Sequence, residues 1–120
     1  MNKNDILNKL NELNLDKNKY IIISGAALVL LDIIESTNDI DLSCEYDYYK
    51  KINWKTKIGY FNTEIKYYDC FEIGTNFYTD NYNVVNGFKI QNTKEIYKLK
   101  LLENKDKDKN TIKKLKKYIK

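Results

Sequence analysis

The hydrophobic period changes repeatedly along the first part of the chain. Ile6, Leu7, Leu10 and Leu13 recur at helical spacing, which predicts an amphipathic helix over Asp5–Leu13, capped by Asn4 or Asp5 and packed on a sheet. Tyr20–Ile23 is a short apolar run, mostly β-branched, of the kind that makes a buried strand. Ser24-Gly25 ends it, and Ala26–Ile34 continues as helix. Thr37-Asn38 then turns the chain into a second strand, Asp39–Ser43, where polar and apolar residues alternate.

Beyond it the pattern is weaker. Tyr46–Trp54 mixes aromatics with lysines and suits a short helix, while Ile58–Phe61 and Glu64–Ile73 alternate as two strands of a hairpin turned at Asn62-Thr63. Gly74–Asn86 reads as loop and Gly87–Ile90 as a short strand. Asn92 or Thr93 caps a helix that runs to Glu103, with Ile96, Leu99, Leu101 and Leu102 among its apolar positions. Polar Asn104–Asn110 separates it from a last helix with Ile112, Leu115 and Ile119 inward. No internal repeat or Gly/Ser linker interrupts this order. It predicts one α/β (α+β) domain over residues 1–120: a small mixed sheet with Tyr20–Ile23, Asp39–Ser43 and Glu64–Ile73 as neighbours, helices against one face, and a C-terminal helical pair.

Composition narrows the chemistry. The chain has no Arg, His or Pro and carries a net charge of +4, so any phosphate contact falls to lysine, a mobile point charge without arginine's bidentate fork. The basic end, KNTIKKLKKYIK, reads as the solvated face of an amphipathic helix rather than as a polyanion site. Cys44 and Cys70 lack CxxC spacing and no His accompanies them, which argues against structural zinc and for two free, buried thiols. The 11 tyrosines are read as amphipathic core area before base-stacking surface. The longest apolar run, Tyr20–Leu31, is broken by Ser24-Gly25 and is too short to span a bilayer, and no secretory signal precedes it. A cytoplasmic protein is expected.

Asp39 and Asp41 carry the clearest chemical signal. At i and i+2 on a strand two carboxylates point the same way while Ile40 and Leu42 face the core. Paired carboxylate oxygens suit Mg²⁺ or Mn²⁺, and two such ions about 4 Å apart can clamp a phosphoryl displacement.

The spacing of Gly25, Ala27-Leu28, Thr37, Asp39 and Asp41 resembles the signature of the nucleotidyltransferase fold of the DNA polymerase beta superfamily. Within it the likeness is to the small prokaryotic and phage branch that includes abortive-infection and toxin–antitoxin nucleotidyltransferases. There a Gly-Gly or Gly-Ser turn opens a helix and a Thr/Ser-x-Asp-Ile-Asp-Leu strand follows; here that strand is Thr37-Asn38-Asp39-Ile40-Asp41-Leu42. A second block, a helix ending in Leu-x-x-Lys followed by a basic-x-Lys-Asp step, is matched by Lys100, Lys105, Lys107-Asp108 and Ile112. Ser24 stands for the first glycine of the pair, Thr111 for an Asp, and Lys105 where Arg is frequent.

The resemblance implies a minimal nucleotidyltransferase fold that moves a nucleoside monophosphate from an NTP such as ATP to a hydroxyl of RNA, protein or a small molecule. Ser24, Gly25, Thr37 and Lys100 would bind nucleotide, with Lys98 the alternative to Lys100; an anion suits the Ser24-Gly25 turn because free N–H groups collect at a helix N-terminus. Asp39 and Asp41 would hold the ion together with a third carboxylate from the neighbouring strand. Glu64, Asp69 and Glu72 are the candidates, and Asp69 is chosen as the strand-interior one, with Glu72 next. A homodimer or partner protein would complete the acceptor site. The rival reading is an inactive binding or antitoxin-like module on the same scaffold.

Overall fold

The structure, a computed structural model, describes residues 1–59 and 62–119. Its helices are α1 (Lys3–Glu12), α2 (Ser24–Leu30), α3 (Tyr46–Lys51), α4 (Thr93–Glu103) and α5 (Lys109–Ile119). Its strands are β1 (Tyr20–Ile23), β2 (Ile40–Cys44), β3 (Lys55–Ile58), β4 (Glu64–Tyr68), β5 (Phe71–Gly74), β6 (Tyr82–Val85) and β7 (Phe88–Gln91). They form one mixed sheet in the order β3-β4-β5-β2-β1-β7-β6, so the architecture is the expected α+β type. β1 runs antiparallel to β2 and parallel to β7, and β2 runs parallel to β5. The three strands expected as neighbours are therefore adjacent. The expected strand Ile58–Phe61 lies earlier in the chain, as β3 at Lys55–Ile58, because the Gly59 amide already turns back to the Thr63 carbonyl at 2.7 Å; positions 60 and 61 lie outside the described residues.

Side-chain alternation sorts the sheet into two faces. Tyr20, Ile22, Ile40, Leu42, Cys44, Phe71, Ile73, Phe88 and Ile90 join Ile6 and Leu10 of α1, Ala26–Leu30 of α2 and Leu115 of α5 in one core cluster. Their alternates Ile21, Ile23, Asp41, Ser43 and Gln91 turn to the other face and are buried as well. Backbone contacts there explain why: the Phe77 amide donates to Ser43 Oγ at 3.0 Å, and the Ser24 amide to Gln91 Oε1 at 3.1 Å. Among the described residues no helix is long and apolar enough to cross a membrane.

Four further boundaries differ from the expectation, each for a local reason. The cap of α1 is Asn2, whose side chain accepts from the Asp5 amide while the Asp5 carboxylate accepts from the Asn2 amide, both at 2.9 Å. α2 stops at Leu30 rather than Ile34 because Asp32 turns left-handed (φ 60°). The Ile33 amide then reaches back to the Leu28 carbonyl and the Asp32 amide to that of Val29, a Schellman ending that folds Ile33 into the core. The stretch read as one strand, Glu64–Ile73, is two strands joined by a two-residue turn at Asp69-Cys70, with Asp69 at φ 54°. The expected loop Gly74–Asn86 contains β6, which meets β7 through Asn86-Gly87, both at positive φ (53° and 82°) as a type I′ turn requires.

The terminal helices bury less than their patterns suggest. In α4 Ile96 is buried while Leu101 and Leu102 are exposed, and in α5 only Leu115 is fully buried.

Burial also sets an alkaline limit to stability. It pushes the Cys44 thiol from 9.0 to about 12 and the Tyr20 phenol from 10.0 to about 12, nearby Tyr48 and Asp16 adding to the latter. Folding keeps both groups protonated, so their contribution is intact below the ordinary values and is lost as pH climbs from about 9 toward 12. Urea midpoints should fall between about pH 8 and about pH 11, and Tyr20→Phe or Cys44→Ala should shrink that fall.

Candidate active site

Antiparallel pairing places Asp41 opposite Ile23, the residue before Ser24. The carboxylate strand thus ends beside the turn that opens α2. Thr37 closes the ring from the β2 side: its amide donates to the Met1 carbonyl at 3.1 Å, and Met1 N donates back to the Thr37 carbonyl at 2.7 Å. Gly25 permits the approach, since a Cβ there would lie 2.7 Å from Thr37 Oγ1.

These elements enclose a cavity of about 310 Å³ lined by Ser24, Gly25, Leu28, Ile34, Thr37, Asp39, Asp41, Lys100, Lys107, Asp108 and Thr111. Every residue expected to bind nucleotide is there, as are Asp39 and Asp41. Lys98 is exposed and is not among the lining residues. Lys100, near the end of α4, is four-fifths buried, although Leu102, two residues on and expected among the helix's apolar positions, lies in solvent.

Asp69 is not in this cavity. It sits at the exposed tip of the β4–β5 turn, where Lys9 donates to it at 2.7 Å and holds its carboxyl below the usual range. The turn reverses side-chain parity, so Phe71 and Ile73 face the core and Glu72 takes the face of Ile65 and Tyr67. Glu72, the second choice, is the register partner of Asp41 on β5. Its carboxylate pairs with Lys57 Nζ at 2.5 Å. Glu64 points elsewhere and accepts the Tyr49 hydroxyl at 2.8 Å.

The cavity does hold a third carboxylate, one the sequence reading gave no role. Asp108 closes a 3₁₀ turn (Asp106–Asp108) and is 7 % exposed in a run of otherwise exposed charges. Its Oδ1 lies 3.4 Å from Lys100 Nζ, and its Oδ2 is buried with no hydrogen-bond partner among the described residues. Nothing in KDKDKN distinguishes this aspartate by pattern; only its place in the Lys107-Asp108 step does.

The donor set of Asp39 and Asp41, carboxylate oxygens without thiol or imidazole, suits one hard divalent ion with coordination left for phosphate oxygens. Among the described residues no three carboxylates or thiols cluster tightly enough to hold an ion between them. Glu72 thus neighbours Asp41 by register and Asp108 shares the cavity, without either completing a three-ligand cluster with the pair. Compared with protein-family models, curated proteins and solved structures, the chain matches none.

Ser24 adopts φ 57°, a region where the other non-glycine residues among those described are all Asn or Asp. For serine that conformation costs roughly 1–2 kcal/mol, against roughly 0.5–1 for the extra backbone entropy glycine would lose. Ser24→Gly should thus stabilise the fold by about 0.5–1 kcal/mol. Gly25→Ala should do the reverse, by about 1–3 kcal/mol, because its methyl must displace the Thr37 side chain. Chemical denaturation of the two variants reads the opposite signs directly.

Proposed function

We propose that this chain is a divalent-metal-dependent nucleotidyltransferase of the polymerase-beta type, transferring a nucleoside monophosphate from an NTP to a hydroxyl acceptor. The observation that carries this reading is convergence: Ser24, Gly25, Thr37, Asp39, Asp41 and Lys100, named from the strand pattern and the family resemblance and scattered along the sequence, line one cavity. The geometry of that cavity matches the needs of the reaction. Backbone at Ser24-Gly25 approaches a triphosphate closely because Gly25 has no Cβ, and Lys100 meets it from the opposite wall with a charge-assisted hydrogen bond. Asp39 and Asp41 are the groups that would hold the ion; when bound there, it supplies charge neutralisation at the reacting phosphate.

In the transfer, the acceptor oxygen bonds to the α-phosphorus as the bond from that phosphorus to the bridging oxygen breaks, and pyrophosphate leaves. The acceptor's proton needs a base. Asp108 Oδ2, unpartnered and at the cavity wall, is suited to take it. The acceptor's class, RNA, protein or small molecule, is open to a screen of radiolabelled NTPs with Mg²⁺ or Mn²⁺ against total RNA and the protein itself.

Asp39→Asn and Asp41→Asn should each abolish label transfer while leaving the fold intact. In wild type, Mn²⁺ with nucleotide should raise the melting temperature, and in either variant this gain should vanish. Absence of any gain in wild type would sink the reading; a gain without transfer would instead favour a binding module on this scaffold. Lys100→Ala should weaken nucleotide binding by about 1–3 kcal/mol in calorimetry at fixed salt.

A further inference from the structure

The pairing of β3 with β4 sets Lys57 opposite Ile65, on the face that also carries Glu72 and Asp41. From that edge strand the lysine stem crosses β4, its ammonium 5.1 Å from the centre of the Tyr67 ring, and ends 2.5 Å from Glu72 Oε2. Glu72 is only 21 % exposed, so the pair is partly shielded from water. A single positive group is thus placed against the carboxylate that neighbours the acid pair, reached from a strand with no part in the cavity itself.

Resting on the nucleotidyltransferase reading, we infer that Lys57 is a built-in counter-ion that keeps Glu72 from serving as a metal ligand, so that the site takes one divalent ion, on Asp39 and Asp41, and not two. Three facts converge on it. Glu72 is the register partner of Asp41 and shares its face, which is where a carboxylate bridging to a second ion belongs. That carboxylate already has a cation of its own. And no three acidic or thiol groups among the described residues gather around one point. A second dication would have to displace the ammonium and then sit beside it, an unfavourable like-charge contact. Lysine contributes one positive charge at a fixed address, where a mobile ion would contribute two.

Counting Mn²⁺ tests this on the intact chain, by electron paramagnetic resonance and by calorimetry with Mn²⁺ alone. Wild type should bind one Mn²⁺ and Lys57→Met two, the second lost again in Lys57→Met/Glu72→Gln. Lys57→Arg, which keeps the charge, should bind one. Two ions in wild type, or one in both wild type and Lys57→Met, would overturn the role given to Lys57 while leaving Asp39 and Asp41 as ligands. No Mn²⁺ in either protein would overturn it together with the reading it rests on. Circular dichroism of each variant checks that the sheet edge is intact.

Discussion

The register between β1 and β2 is the constraint on which the site depends. Ile22 opposite Leu42 and Ile23 opposite Asp41 put two kinds of residue on two faces of the same pair. Because side chains alternate with period two, a slip of one residue would bring Asp41 into the core and turn Ile40 and Leu42 out of it. Each of those fully buried side chains is worth roughly 1.5–3 kcal/mol in transfer from water, and an unpaired carboxylate in their place would cost several more. Packing on the core face therefore fixes the position of the acid on the other. The catalytic arrangement proposed here needs no separate device to hold Asp41 next to the Ser24-Gly25 turn; it follows from where the isoleucines and leucines must go.

What closes the site is a set of close approaches that replace bulk. The α2 helix is short and ends in a Schellman turn at Asp32, so the chain returns promptly and Thr37 comes back onto Gly25. Met1 clamps Thr37 through two backbone hydrogen bonds. On the far side α4 and α5 pack on each other across the 3₁₀ turn, which carries Asp108 inward between them. Left-handed residues appear at nearly every one of these reversals. With no proline and only four glycines in the sequence, the chain uses Asn and Asp for that purpose, residues whose short polar side chains tolerate the conformation.

Legibility in the sequence followed the strength of the local physics. Asp39-Ile40-Asp41-Leu42 was readable because strict alternation in a central strand has one interpretation, and the six-residue consequence, the cavity lining, was readable because the glycine turn and Lys100 fell at known spacings. Asp69 was misread for a specific reason. Ile65, Tyr67, Phe71 and Ile73 look like one uninterrupted alternating strand, yet a two-residue turn reverses direction and parity together, and periodicity cannot register that change. Asn86-Gly87 is a hairpin signal, but the strand before it, Tyr82–Val85, is short, partly exposed and lacks an alternating apolar pattern to mark it. Asp108 and Lys57 carry no local signal at all. Their positions are products of tertiary packing, visible only once the 3₁₀ turn is buried and three strands lie side by side.

A chain whose only cationic side chain is lysine must make its charge contacts with long, flexible stems, and two of the lysines near the acidic groups are engaged before substrate arrives. Lys100 rests on Asp108 and Lys57 on Glu72. The first contact is loose, at 3.4 Å, and the second is tight. That difference matters for the proposed chemistry. A triphosphate that draws Lys100 toward the Ser24-Gly25 turn has only a weak contact to break, and in breaking it frees Asp108 from its Lys100 contact. Nucleotide binding and the readiness of the base are then coupled through a single side chain, with no movement of the backbone required. Lys57 has no part in that exchange, since it reaches Glu72 from an edge strand outside the cavity, and the ion pair there fixes the charge beside the site rather than switching it.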